Sequence, residues 1–168
     1  QIGGRSAPAV VKVYKKLKEE LAFQINSDGA HISLSPVVTL SVYKAIIYTM
    51  IISRKAVLSA GPSFSGDFIF CDEEFRGALA RIGTFLSSMA APDGNLYNIS
   101  DYYSFFFMPF DECSPADAAP SLQIASYLLM DGGLKFLTAE HKIAEIAMIF
   151  GDEGVEAYNK LPVNAPEM

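Results

Sequence analysis

Residues 36–60, PVVTLSVYKAIIYTMIISRKAVLSA, are apolar on nearly every side of a helix and decide the fold. Ser35-Pro36 is typical of a helix start, because serine caps the first turn and proline removes only an amide that this turn leaves unpaired. Gly61-Pro62 predicts the end. A helix without a polar face is the central helix of a core or a membrane span. We expect a core helix, since the apolar stretch 37–52 is slightly short for a bilayer and contains Lys44.

The same stretch carries a signal for extended structure. Nine of residues 37–52 are Val, Ile or Thr, and β-branched side chains favour strands. Strands are therefore an open alternative here, and a membrane span is a weaker one. If the helix forms as expected, Ile47 and Ile51 should be almost fully buried.

Capping residues, glycine stops and apolar stripes at helical spacing predict further helices. Their expected ranges are 8–24, 72–90, 120–131 and 138–150, with shorter helical segments at 100–109 and 153–160. Asp72 and Thr138 are the expected N-caps, and Gly132-Gly133 and Gly151 are the expected stops. Gly66–Cys71 is a candidate short strand. The sequence therefore predicts an all-α, mostly helical single domain over residues 1–168, with six or seven helices around the apolar one and at most minor strand content.

The first predicted helix combines one apolar stripe with a cluster of lysines. Val10, Tyr14, Leu17 and Leu21 recur at helical spacing, so we expect this stripe to be buried. Much of the opposite face is charged, and Lys12, Lys15 and Lys16 nearly share one side of it. A solvated helix face is the simplest interpretation of these lysines. The alternatives are contacts with nucleic acid, with an anionic membrane or with acidic surface of a neighbouring subunit.

The charges divide the chain into a basic and an acidic part. Residues 1–66 carry eight Lys or Arg against three Asp or Glu, a net charge of +5, and residues 67–168 carry five against sixteen, a net charge of −11. Charged residues make up 19% of the chain, below the roughly 25% typical of soluble domains. This polarity indicates association. The overall charge of −6 argues against a protein that binds nucleic acid over its whole surface, but it leaves room for one local basic strip.

A search for chemistry gives no motif from which to assign a reaction. Gly61–Ser65 lacks the final glycine of a nucleophile elbow. His141 and Glu145 are expected to form a solvated pair one helical turn apart. Asp93, Asn95 and Asp101 do not follow the calcium-loop spacing. Asp111 and Glu112 lie in a proline-flanked loop. We therefore expect no catalytic, cofactor-binding or metal-binding residues and no cofactor.

The aromatic cluster at 102–107 and the two cysteines are also interpreted without chemistry. No Lys or Arg lies between Arg81 and Lys135, so base stacking is not expected at Tyr102, Tyr103 and Phe106. These side chains are expected in a core or an oligomer interface. Cys71 and Cys113 are expected to be free thiols of a reducing compartment, with a disulfide as the alternative.

These observations favour a structural, self-associating subunit of a larger assembly, such as a coat or capsid component or an accessory chain. An adaptor or regulatory module that binds a different protein is the alternative, and a small enzyme with a dispersed active site is less favoured. No signal peptide is visible, so we expect a cytoplasmic location or an assembled particle. The expected interface residues are Lys12, Lys15, Lys16, Tyr102, Tyr103, Phe106, Glu145, Asp152 and Glu153.

Overall fold

The computed structural model describes residues 8–60, 72–97, 99, 114, 116–136 and 138–165. These residues form six helices: α1 (Pro8–Gln24), α2 (Pro36–Ala60), α3 (Glu73–Met89), α4 (Ala119–Leu129), α5 (Gly132–Phe136) and α6 (Ala144–Lys160). Within the described ranges the only extended pairing is three isolated bridges between loop residues. The predicted all-α single domain is confirmed. The candidate strand at Gly66–Cys71 and the helical segment at 100–109 lie outside the described residues.

Helix α2 is the centre of the core, as predicted, and packs against α3 and α4. Ile47 is 1% exposed and Ile51 6%, so both expected burials are confirmed. The helix is not covered on every side, however, because Ile52 and Leu58 are 67% and 68% exposed. Two apolar side chains of α2 therefore face solvent, at different positions around the helix.

The stretch Pro36–Lys55 is the one part of the described chain that is long and apolar enough to cross a membrane. Half of that stretch is buried inside the fold. A core helix satisfies the same criteria of length and hydropathy, so this stretch is weak evidence for a membrane span.

Helix α3 follows its sequence signals closely. The Asp72 carboxylate accepts hydrogen bonds from the backbone N–H groups of Glu74 and Phe75, at 2.9 and 3.1 Å. This is the predicted N-cap, and it satisfies two amides that the first turn leaves unpaired. The buried side of the helix carries the predicted stripe, made of Phe75, Leu79, Ile82 and Leu86.

Gly132 and Gly133 were expected to end the helix predicted at 120–131, but they lie at the start of the next helix, α5. Met130 adopts the left-handed conformation (φ 57°) and ends α4. Asp131 then caps the next turn, because its carboxylate accepts a hydrogen bond from the Gly133 amide at 2.8 Å. Gly132 therefore begins α5. The expected stop was wrong because a left-handed methionine performs the role usually taken by glycine.

The boundaries of the last helix also differ from the prediction. Helix α6 begins at Ala144, six residues after Thr138, whose side chain does not cap it. The Thr138 hydroxyl instead donates to the Lys135 carbonyl oxygen at 3.2 Å. Gly151 has φ 67° and ψ −165°, which is not helical, so the backbone breaks at the expected stop. The segments expected at 138–150 and 153–160 are the two helical parts of α6 on either side of this kink, and the difference from the prediction is the later start at Ala144.

A buried lysine holds the end of α6 against α5. Lys135 is 6% exposed, and its ammonium group donates to the carbonyl oxygens of Tyr158, Asn159 and Leu161 at 2.7, 3.2 and 2.8 Å. These carbonyls lie at the C-terminal end of the helix, where its dipole is negative, and that of Tyr158 also accepts from the Leu161 amide at 3.1 Å. Burial lowers the pKa of Lys135, but the three acceptors satisfy all of its donors. Lys135 therefore has a structural role.

Candidate association surfaces

Helix α1 lies at the edge of the fold. Among the described helices its only neighbour is α3. The contact is made near its C-terminal end, where Leu21 is 9% exposed and Ile25, just after the helix, is 7% exposed. Lys18 fastens the same end, because its ammonium group lies 3.1 Å from the Asp72 carboxylate and 2.7 Å from that of Glu74. Lys18 therefore faces α3 and does not belong to the outward lysine face.

The apolar stripe expected to be buried in α1 is buried only at one end. Leu21 faces the core, but Leu17 is 41% exposed and Val13, one turn earlier, is 59% exposed. The side chains of Val10 and Tyr14 lie outside the described part. The prediction was wrong for Leu17 because α3 covers only the C-terminal end of the helix. Val13 and Leu17 are left as a short apolar strip on an amphipathic helix.

The three predicted lysines of α1 are exposed. Lys16 forms an i, i+4 ion pair with Glu20 at 2.8 Å, and a hydrogen bond from this pair raises the pKa of Lys16. Lys12 and Lys15 have no ion-pair partner among the residues that the structure describes. Lys12 and Lys15 are therefore available to an external acidic surface. Lys16 can also reach one if its pair with Glu20 breaks, and such exposed pairs are weak.

The acidic residues predicted on α6 occupy two surfaces separated by the kink. Glu145 lies in the first turn and is half-buried, while Asp152 and Glu153 follow Gly151 and are exposed. Burial and then the charge of Glu145 raise the pKa of Tyr48 to about 12. Met148, one turn after Glu145, is 61% exposed. Along the chain, this exposed apolar side chain therefore lies between Glu145 and the two carboxylates that follow the kink.

The predicted interface residues are not all brought together. The three lysines lie on α1 and the three carboxylates on α6, and these two helices are not in contact with each other within one chain. Tyr102, Tyr103 and Phe106 lie outside the described residues, as do Cys71, Cys113, Asp111, Glu112 and the Gly61–Ser65 segment. A contact between the lysines and the carboxylates therefore requires another copy.

The residues around His141 form a small hollow. His141, Lys142, Glu145 and Asp117 border a volume of about 160 Å³ where the chain enters α4 and α6. His141 and Glu145 were expected one turn apart on a helix. They are not, because α6 begins only at Ala144 and His141 precedes it. Within the described chain, no group of three or more His, Cys, Asp or Glu side chains is placed to hold a metal ion.

Two exposed residues relevant to association were missed from the sequence. Phe23 is 72% exposed on the charged side of α1, and Met148 is 61% exposed on α6. Phe23 had a readable signal, since it follows Lys16 and Glu19 at helical spacing and so interrupts a polar face. Met148 had none, because an apolar residue in a helix full of apolar residues does not show which side is covered.

Comparison with protein-family models, with curated proteins and with solved structures finds no match to this chain.

Proposed function

We propose that this chain is a structural, self-associating subunit of a larger assembly, of coat or capsid type or an accessory chain, without catalytic activity. The observation that supports this most directly is the position of α1. It is a 17-residue amphipathic helix whose only helical neighbour in the described fold is α3. Its strip of Val13 and Leu17 and its lysines face outward, and exposed apolar side chains grouped with charges are typical of interaction sites.

The acceptor surface that fits α1 best is the outer side of α6 in another copy. There Met148 can cover Leu17 or Val13, while Glu145, Asp152 and Glu153 lie near the lysines. Apolar burial supplies most of the affinity of such a contact, and the charges set its orientation and association rate. Exposed ion pairs are worth about 0–1 kcal/mol each, so salt slows assembly more than it abolishes it.

Because the two surfaces differ, the contact is heterologous. A head-to-tail contact of this kind repeats into rings when the rotation closes and into filaments when it does not. Assembly is therefore expected to continue beyond two copies. In this proposal nucleic acid is reached only through the exposed lysines of α1, and membrane binding plays no part.

Charge reversal with mass measurement tests the proposal. Lys12→Glu, Lys15→Glu and Lys16→Glu together should shift the purified chain to smaller species in sedimentation velocity at low salt, by at least tenfold in the concentration needed for assembly. Adding Glu145→Lys, Asp152→Lys and Glu153→Lys to the same chain should recover part of the assembly, since the charges are again opposite.

The control is Lys55→Glu, which alters an exposed lysine of α2 and should leave the large species unchanged. A wild-type chain that sediments as a monomer at high concentration and low salt would show that self-association is wrong. Binding to a different protein would then be the leading candidate.

A further inference from the structure

A groove opens between the C-terminal end of α1 and the first half of α3. Its volume is about 380 Å³, and a cavity of about 150 Å³ already holds a benzene ring. Leu21, Ile25 and Ala78 form an apolar floor and are themselves buried. The rim is polar and includes Arg81 and Glu74. The groove is thus shaped to take one large apolar side chain beside a cationic group.

An exposed aromatic side chain lies beside this groove without entering it. Phe23 is 72% exposed, and it follows Ala22, which lines the groove. Successive residues of a helix point about 100° apart, so Phe23 is directed away from the groove of its own chain. Phe23 (the knob) and the α1–α3 groove (the hole) are therefore neighbours on one surface, and Phe23 cannot enter the groove of its own molecule.

The loop after α1 adds two exposed apolar side chains near the end of that helix. The Ile32 amide donates to the Gln24 carbonyl oxygen at 2.8 Å, which holds the loop against the end of the helix. Ile32 and Leu34 are 47% and 65% exposed. Leu34 also has a φ of 55°, and a strained backbone that presents a large apolar side chain to solvent indicates a functional surface.

The charges around the groove favour a second copy of this chain as the occupant. Arg81 is exposed and has no ion-pair partner among the described residues. Glu19 precedes Phe23 by one turn on the same side of α1, and its side chain is 71% exposed. Seating a Phe23 ring in the groove brings that carboxylate toward Arg81, whose guanidinium can also stack on the ring. The Lys18 ammonium lies 2.7 Å from the Glu74 carboxylate and offsets part of its charge, although Lys18 also pairs with Asp72 at 3.1 Å.

We propose that two copies pair about a two-fold axis, with Phe23 of each copy seated in the α1–α3 groove of the other. The contact is isologous, because the same surface supplies the knob and the hole on both copies. It goes beyond the proposed function: it uses neither α6 nor Lys12 and Lys15. Lys16 enters only through its exposed 3.9 Å contact with Glu19, which reversal of Lys16 removes and so leaves Glu19 to Arg81.

Sedimentation velocity on the chain carrying Lys12→Glu, Lys15→Glu and Lys16→Glu separates the two contacts. With the α1–α6 contact removed, this chain should run as a dimer. Adding Phe23→Ala should weaken dimerisation by at least about 100-fold, because one central aromatic anchor is lost on each side. Arg81→Glu should weaken it as well, and Ile52→Ala, which removes an equally exposed side chain from α2, should not.

A complementation experiment distinguishes knob-in-groove pairing from any other dimer. Ala22→Trp places a bulky ring at the groove wall while leaving Phe23 intact, and circular dichroism confirms that each variant keeps its helices. In the chain that carries Lys12→Glu, Lys15→Glu and Lys16→Glu, Phe23→Ala and Ala22→Trp should each be monomeric alone. Mixed in equal amounts they should form dimers again, since one knob and one groove remain intact across the pair.

Three results would overturn this pairing. They are a monomeric triple-charge variant, a dimer that tolerates Phe23→Ala, and a mixture of the two single variants that stays monomeric. Large wild-type assemblies together with a monomeric triple-charge variant would refute the pairing and leave the proposed function intact. A wild-type chain that forms only a Phe23-dependent dimer, and nothing larger, would support the pairing and refute the α1–α6 assembly.

Discussion

Helices α1 and α2 both combine lysines with apolar residues, yet the fold treats them differently. Helix α2 places Ile47 at 1% exposure between α3 and α4, whereas α1 leaves Leu17 at 41% and, among the described helices, contacts only α3. Helical spacing of apolar residues identifies both as helices, but it does not tell whether the chain itself covers the apolar side. An apolar stripe that the chain leaves uncovered is a candidate for contact with another molecule.

The largest difference between the two helices should appear on truncation of core side chains. Ile47→Ala should lower the free energy of unfolding by about 2–5 kcal/mol, because it removes buried contacts and leaves a cavity. Leu17→Ala should lower it by less than about 1 kcal/mol, since that side chain already contacts solvent. Urea unfolding of each variant, at a concentration where the chain is monomeric, measures both values.

The matched control for Ile47→Ala lies on the same helix. Ile52→Ala is the same chemical change at 67% exposure, and it should alter stability by at most about 0.5 kcal/mol. Equal losses at residues 47 and 52 would mean that α2 does not sit in the core as described.

The sequence determined the helices best where a local signal coincided with burial. Asp72 caps α3 as expected because its side chain satisfies amides of its own first turn. The expected stop at Gly132 failed because Met130 takes a left-handed conformation and ends the helix first, which composition does not indicate. Thr138 failed as a cap because it bonds to Lys135 and lies beside Tyr158, a residue 20 positions away.

The candidate surfaces were harder to predict than the helices. The exposure of α1 depends on which helices pack against it, and that information lies in tertiary contacts rather than in spacing. The lysines and carboxylates were readable as charge clusters, while the groove beside Phe23 was not. The groove lies between α1 and α3, so its shape depends on how these two helices pack, which no local pattern encodes.

Helix α1 should also differ from α2 in how easily it opens, because the Lys18 contacts join it to the start of α3. Lys18→Met removes the ammonium group that joins Asp72 and Glu74 to α1, and the pair is only partly exposed, with Lys18 at 30% and Asp72 at 14%. Local opening of α1 should become easier by about 1 kcal/mol. Hydrogen exchange of α1 amides should accelerate about fivefold, while exchange in α2 should stay unchanged.

Lys16→Met is the control, because Lys16 pairs only within α1 and its side chain is 67% exposed. Its effect on α1 exchange should stay within about twofold. Similar acceleration in both variants would show that the Lys18 contact does not hold α1 to α3.

The smallest expected effect concerns a hydroxyl inside the core. Tyr43 is 0% exposed, and its hydroxyl has no hydrogen-bond partner among the described residues. An unpaired buried hydroxyl costs free energy, so Tyr43→Phe should raise stability by about 0.5–1 kcal/mol at neutral pH. Tyr158→Phe is the control, since that hydroxyl lies 3.3 Å from the Thr138 hydroxyl and its loss should be neutral or destabilising.

The advantage of Tyr43→Phe should grow in alkaline solution. Burial, with a contribution from Asp131, raises the pKa of Tyr43 above its ordinary value of 10.0. Above pH 10 the unfolded tyrosine loses its proton while the folded one keeps it, so the wild-type chain loses stability as the pH rises. Each pH unit above 10 should add about 1.4 kcal/mol to the difference between variant and wild type. A difference in unfolding free energy that stays constant from pH 8 to 11 would mean that Tyr43 is solvated in the folded chain.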